Sequence, residues 1–226
     1  MRASDQSRSA GTSPGYECEG WGASAEFAGP GYVSLGASID NGGISGISGV
    51  GTFGSMGPTA TSTVHSAGNE LTIWHNFGPS IFFDVFQATV TITNDTDETA
   101  RNVTYRRILD WDIPPTPFDE FVMVQGVEAN LLANGGNLIR AVDNGFDPAN
   151  PGDGMLTSIN EPANTDFHDS GPSDHGAGFD FGFGDLEAGE SRSFNIFYGT
   201  APDQAQAEAA VATLNLDVWS FGQSNP

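Results

Sequence analysis

The sequence predicts a mainly β fold: a single antiparallel β-sandwich-like domain with one short C-terminal helix. Three observations carry that expectation. Apolar and polar residues alternate with a period of two in several separate stretches, as half-buried strands require. The chain holds 30 Gly and 13 Pro in 226 residues, which suits many short strands joined by turns and would be costly in helices. Helix-forming composition is confined to one segment near the end. Residues 1–15 read as a flexible N-terminal tail and residues 16–226 as one domain, whose 38% apolar content, including 16 Phe, is enough for a core.

The elements follow in order. Residues 31–65 are rich in Gly and Ser, with apolar residues spaced among them from Tyr32 to Phe53, and read as short strands with tight turns. Asn69–Phe77 alternates, with Leu71, Ile73 and His75 on one face and Thr72, Trp74 and Asn76 on the other. Phe82–Thr93 places Phe86, Ala88, Val90 and Ile92 together. Arg101–Ile113 sets Val103, Tyr105, Arg107, Leu109 and Trp111 against Arg106, Ile108, Asp110 and Asp112. The polar turn 94–99 between these two long strands predicts a hairpin, and the prolines at 114, 115 and 117 end its second strand.

Phe121–Val127 and Asn130–Ala133 are expected as short strands. Residues 134–175, heavy in Asn, Asp, Gly and Pro, form a loop-rich region where a functional or metal-stapled site is expected. Ala177–Phe183, Ser191–Tyr198 and Asp217–Phe221 are strands, and Pro202–Leu214 is the helix, with Asp203 near its start.

Charge narrows the function. Seven basic residues, all Arg, face 29 acidic ones, for a formal charge of -22. Such a surface repels phosphates and excludes nucleic-acid binding, while attracting Ca²⁺ and other cations. No stretch reaches the roughly 20 apolar residues of a membrane span. The first fifteen residues have no apolar run like a signal peptide, and the composition predicts a secreted, extracellular or cell-surface protein in its mature form. The Lys-free, acidic surface would equally suit a high-salt habitat. A single cysteine, Cys18, excludes an intramolecular disulfide and a Cys-based zinc site; Glu17 and Glu19 beside it would raise its pKa.

Two acidic groupings are candidates for chemistry. Asp110 and Asp112 share a face at a strand end, near Asp119 and Glu120 across the proline-rich turn. They could hold Ca²⁺ or act as a glycosidase pair, and the simpler reading pairs them with Arg106 and Arg107 or uses them to cap the turn. Asp166–Asp180 gathers Asp169, Asp174, His175 and Asp180, an oxygen-rich set that favours Ca²⁺ over Zn²⁺ but lacks any calcium-loop consensus. Asp110, Asp112, Asp169, Asp174, His175 and Asp180 are therefore the candidate metal ligands. Asp143–Asp147 and Asn150–Asp153 are similarly oxygen-rich, but Asx turns explain such runs without a metal. No nucleophile elbow or phosphate loop is present. Ser173 precedes His175 by two residues, a spacing that rarely makes a triad.

Several phrases together resemble a family of secreted bacterial β-domain proteins of the exosortase-sorted (PEP-CTERM-like) type. They are the stretches 16–22 and 105–113, Asp169-Ser170-Gly171-Pro172 running into Asp174-His175-Gly176, residues 179–184, Gly189-Glu190-Ser191, residues 194–199, and Phe221-Gly222-Gln223. The resemblance covers most of residues 16–223. It implies a secreted or surface β domain, with no established activity and no site residues. Members usually continue past the Phe-Gly-Gln phrase into another strand and an anchor. This sequence stops at Pro226, which would leave an open sheet edge for a neighbouring copy to fill.

The leading expectation is thus a non-catalytic structural or adhesive domain that self-assembles by strand addition into a homo-oligomer or filament. A calcium-assisted module binding surface glycans through loops 143–180 is the alternative. A hydrolase using Asp110, Asp112 or His175 is the third reading.

Overall fold

The computed structural model describes residues 19–49 and 51–225; the tail expected over 1–15, and Cys18, lie outside them. Fourteen strands and two α-helices follow one another as β1 (Glu19–Phe27), β2 (Gly31–Ile39), β3 (Ile44–Ser45), β4 (Thr52–Met56), β5 (Thr59–His65), β6 (Leu71–Pro79), β7 (Val85–Asn94), β8 (Arg101–Asp110), β9 (Glu120–Gln125), α1 (Val127–Asn130), β10 (Leu138–Val142), β11 (Phe167–Ser173), β12 (Gly176–Gly182), β13 (Ser191–Gly199), α2 (Gln204–Leu214) and β14 (Trp219–Ser224). The fold is mainly β, and its strands pair antiparallel throughout. No helix among the described residues is long and apolar enough to cross a membrane.

Three sheets form: β10-β12-β8-β1-β2-β3, β13-β7-β6-β5-β4, and β11-β9-β14. The six-stranded sheet is the common floor. On its inner face, Ala23, Leu35, Val103 and Tyr105 pack against Ile73, Val90 and Ile92 of the five-stranded sheet. Leu35, Ile73, Val90 and Ile92 are wholly buried, and each such side chain contributes roughly 1.5–3 kcal/mol. Farther along the same floor, Leu138, Ala141 and Ala177 meet Val122, Val124 and Phe167 of the three-stranded sheet, with Trp111 packed beside them.

The outer face of the floor is covered by the loop after β10 rather than by a sheet. Ile108 and Val142 pack there with Ala149 and Leu156. The sequence permits this because Gly22 and Gly36, adjacent across the β1–β2 ladder, let the loop backbone lie flat on the strands. A Cβ at Gly22 would stand 2.1 Å from the Ala149 carbonyl oxygen, and one at Gly36 2.7 Å from the Asn150 nitrogen.

Two expectations are corrected. β7 and β8 do not form a hairpin: β7 pairs with β6 and β13, and β8 with β1 and β12. Each strand carries a largely apolar inward stretch (Ala88, Val90 and Ile92 on β7, Val103 and Tyr105 on β8), and these bury more by stacking across the core than by lying edge to edge. The polar turn is therefore a crossing between sheets. Asn94 fixes it by donating to the carbonyls of Glu98, Leu186 and Glu187. Residues 130–133, expected as a strand, end α1 and enter a short 3₁₀ turn over Leu132–Asn134. The C-terminal helix forms as expected, with the Asp203 side chain accepting the Gln206 N–H at 2.9 Å.

Candidate metal centre

The proline-rich segment after β8 carries the chain from the six-stranded to the three-stranded sheet, and Asp174-His175 brings it back from β11 to β12. Asp110 lies opposite Gly176 in one ladder, while Glu120 lies opposite Ser173 and Ser224 in the others. The corner between the two sheets thus collects Asp110, Glu120 and Asp174, each offering a carboxylate oxygen within 4.8 Å of the others. Glycine makes room here: a Cβ at Gly145 would come within 2.7 Å of the Asp110 Cα, and one at Gly176 within 2.1 Å of the Leu109 carbonyl oxygen.

Burial makes this corner electrostatically unusual. Asp110, Asp112, Glu120 and His175 are 0–1% exposed, and only Asp174 reaches solvent. Neither Asp110 carboxylate oxygen receives a well-formed hydrogen bond, nor does Oε2 of Glu120. The Trp111 amide beside Asp110 favours its charged form only weakly, and also reaches the His175 carbonyl oxygen at 3.4 Å. Desolvation, then repulsion from Asp112, Asp174 and Glu120, pushes the Asp110 carboxyl up to about 8. Desolvation likewise raises Glu120 to about 7, against the opposing pull of the His175 amide, which donates to Oε1 at 3.1 Å. Asp174 is raised too, by burial first.

The arginines expected to neutralise Asp110 and Asp112 point elsewhere. Arg106 makes a bidentate pair with Asp180, at 2.7 and 2.9 Å, and gives its remaining nitrogen to the carbonyls of Pro148 and Gly154 at 2.9 Å each. Arg107 pairs with Glu19 and donates to the Gly20 carbonyl at 2.6 Å.

His175 follows Asp174 at the edge of the corner, outside the three converging carboxylates. Its Nδ1 lies 2.8 Å from the Ser173 carbonyl oxygen, which can only accept, so Nδ1 carries a proton. Its Nε2 is buried with no hydrogen-bond partner. A protonated Nδ1 cannot take the proton of Ser173 Oγ, 3.2 Å away, and that hydroxyl already accepts from Asn160 at 2.7 Å. The Ser–His pair is therefore not an activated nucleophile.

Of the residues singled out from sequence, Asp110 and Asp174 meet at the corner, and Asp112 and His175 stand beside them. Asp180 is excluded as a ligand because Arg106 occupies both of its oxygens. Asp169 is exposed and accepts from Gln223 Nε2 at 2.6 Å, away from the cluster. Glu120 is the corner carboxylate that sequence reasoning left out of the set. The signal was its place at the start of an apolar strand, where alternation sends its side chain inward. The loop 134–175 holds itself together with side-chain caps: Asp143 accepts the backbone N–H groups of Ile159, Asn160 and Glu161 at 2.7–2.9 Å. Asn144 and Asn150 form Asx turns, accepting the N–H groups of Phe146 and Gly152 at 2.8 and 2.9 Å.

A cavity of about 330 Å³ opens elsewhere, between β1, β2 and β8 on one side and β6 and β13 on the other. Its polar groups satisfy one another: Arg107 pairs with Glu19, and the Tyr105 hydroxyl meets His75 Nε2 at 3.1 Å. Burial, then the Arg107 charge, lowers His75 to about 4 and keeps it neutral.

No protein-family model matches the chain, and no curated protein matches its sequence.

Proposed function

We propose that the chain is an extracellular or cell-surface structural β domain whose two-sheet corner is locked by a divalent cation, with Ca²⁺ the best fit. The carrying observation is the meeting of Asp110, Glu120 and Asp174 within 4.8 Å at a buried corner where no arginine among the described residues pairs with them. Three carboxylates that no described arginine neutralises must largely hold protons or hold a cation, and an all-oxygen set suits a hard ion. Asp110, Glu120 and Asp174 would hold the ion. Because they come from three segments in two sheets, binding would stabilise the tertiary arrangement rather than one loop.

A non-catalytic role fits the same observation. An acid–base pair must touch its substrate, and Asp110 and Glu120 are 1% and 0% exposed. An ion can enter past Asp174; a sugar or peptide cannot.

The test is a thermal melt of chelator-treated protein titrated with CaCl₂ or MgCl₂. At a hundredfold excess over Kd, binding adds about 2.7 kcal/mol, and at roughly 2–4 °C per kcal/mol the midpoint rises by about 5–10 °C. A midpoint indifferent to both ions would sink the proposal.

Assembly by strand addition is a second reading, favoured by β4. Among the described residues this strand pairs only with β5, all five of its residues are exposed, and none of the five is charged. Concentration-dependent light scattering that disappears in Ser55→Pro supports it; a monomer at every concentration removes it.

A further inference from the structure

The five-stranded sheet turns its second face to solvent, and that face is chemically unlike the rest of the molecule. Ladder register identifies it: Thr63, Trp74, Thr91 and Ser193 lie side by side across β5, β6, β7 and β13. The next row holds Asn76, Thr89 and Asn195. Alternation fills the remaining positions of these strands with Thr, Ser, Gln and Gly, together with His65 on β5, Val85 on β7, Phe197 on β13 and Met56 on β4. None of them is Asp, Glu or Arg, in a chain of formal charge -22. A carboxylate enters only at the margin, where Asp95, beyond the end of β7, accepts from the Thr72 hydroxyl.

Trp74 stands at the centre of this face, on the middle strand of the sheet, and is 36% exposed. Around it the hydroxyls and amides are held in fixed rows: Thr91 to Ser193 at 2.8 Å, Thr93 to Ser191 at 2.8 Å, and Thr89 to Asn195 at 2.9 Å. Each hydroxyl in such a pair keeps further hydrogen-bonding capacity for a ligand. Same-face neighbours repeat about every 6.7 Å along a strand and about 4.8 Å between strands.

We propose that this face binds a neutral polysaccharide, with Trp74 stacked on a sugar ring and the flanking Thr, Ser and Asn groups bonding its hydroxyls. Charge selects the class. Nucleic acids and acidic glycans require cations that the face lacks, and basic partners would prefer the acidic remainder of the surface. A second copy of the chain is a poorer occupant, because protein interfaces need an apolar, aromatic-rich centre, and here Trp74 has hydroxyls and amides as its row neighbours, with Val85, Phe197 and Met56 on other rows. An uncharged, flat partner dense in hydroxyl groups matches what is displayed. The inference goes beyond the cation-locked reading and does not depend on it, since the carboxylate corner belongs to the other two sheets.

The experiment is co-sedimentation of the full chain with insoluble cellulose, chitin, mannan, xylan and amylose, in Ca²⁺ and again in chelator. Trp74→Ala and Ser193→Glu are assayed in parallel, and thermal melts establish that both fold. Retention on at least one polymer is expected, unchanged by chelator at a temperature well below the melt. Trp74→Ala should weaken it roughly tenfold or more, as truncation of a central aromatic anchor does. Ser193→Glu should weaken it without lowering the melting temperature. Failure to bind any of the five polymers overturns the proposal, as does retention indifferent to Trp74→Ala. Binding abolished by chelator in still-folded protein would move the glycan site to the acidic loops and overturn it too. So would a dimer that Ser193→Glu dissociates.

Discussion

Arg106 and Asp110 lie four residues apart on the same face of β8, and both are buried, yet their surroundings are opposite. Arg106 has a carboxylate and two carbonyls arranged around its guanidinium. Asp110 has other carboxylates around it. The first is a completed polar network, which fixes the loop after β10 onto the sheet. The second is a charge imbalance that the described protein groups do not neutralise. Burial alone therefore does not distinguish a structural ion pair from a site; the balance of donors and acceptors does.

The comparison breaks most sharply at Arg106. Arg106→Met leaves Asp180 buried without its partner and frees two carbonyls, a change of about 3–5 kcal/mol. At roughly 2–4 °C per kcal/mol the melting midpoint should fall by about 6–20 °C, with or without Ca²⁺. A fall of only a degree or two would mean that the network contributes little. Asp110→Asn has the opposite sign in chelator. It removes a repelled carboxylate, so stability at pH 8 should hold or rise, while the response to Ca²⁺ disappears. Destabilisation of the cation-free protein by Asp110→Asn would show that the carboxylate is held by contacts and not by an ion.

The pH dependence sharpens the same contrast. Asp110 and Glu120 have folded-state values of about 8 and about 7, above their ordinary 3.8 and 4.5. The folded protein thus binds more protons than the unfolded chain through that window. Their contribution is fully present below about pH 4 and is lost as pH rises through 7 to 8. In chelator the midpoint should drop by more than about 5 °C between pH 5 and pH 8.5, and saturating Ca²⁺ should remove most of that drop. A midpoint that rises with pH in chelator would contradict the assignment. Arg106→Met leaves Asp110 and Glu120 in place and should keep the slope, while Asp110→Asn reduces it.

Much of this was legible in the sequence, for reasons that also explain what was missed. The inner faces of β6, β7 and β8 follow from period-two alternation, which is local. Whether β7 and β8 pair or stack is set by what each finds across the core, so the crossing at 94–99 could not be read from its turn residues. The corner was half legible in the same way. Asp110 and Asp112 stood out by spacing, and Asp174 and His175 by composition, but they lie more than sixty residues apart. Their meeting depends on β8 pairing with β12 and on β9 pairing with β11. The assignment of Arg106 to Asp180 rests on the same β8–β12 ladder, in which these two residues are direct partners. Sequence proximity favoured Asp110 for Arg106; cross-strand proximity decided for Asp180.

The smallest expected effect comes from Asp169, which sequence composition placed among the candidate ligands and the fold sets apart. It has a positive φ of 49° and is exposed, with one hydrogen bond to Gln223. Asn adopts that backbone conformation as readily as Asp, so Asp169→Asn introduces no strain. The hydrogen bond is at the surface and water can replace it. The midpoint should change by less than about 2 °C, corresponding to roughly 0.5 kcal/mol, and the Ca²⁺ response should match that of the parent protein. Asp174→Asn, five residues on, should weaken the response measurably, because Asp174 supplies one of the three converging oxygens. If Asp169→Asn abolished the response and Asp174→Asn did not, the ion would belong to the exposed loop and not to the corner. The two substitutions differ little in sequence and chemistry, so the comparison isolates the one thing that separates them, their position relative to the buried carboxylates.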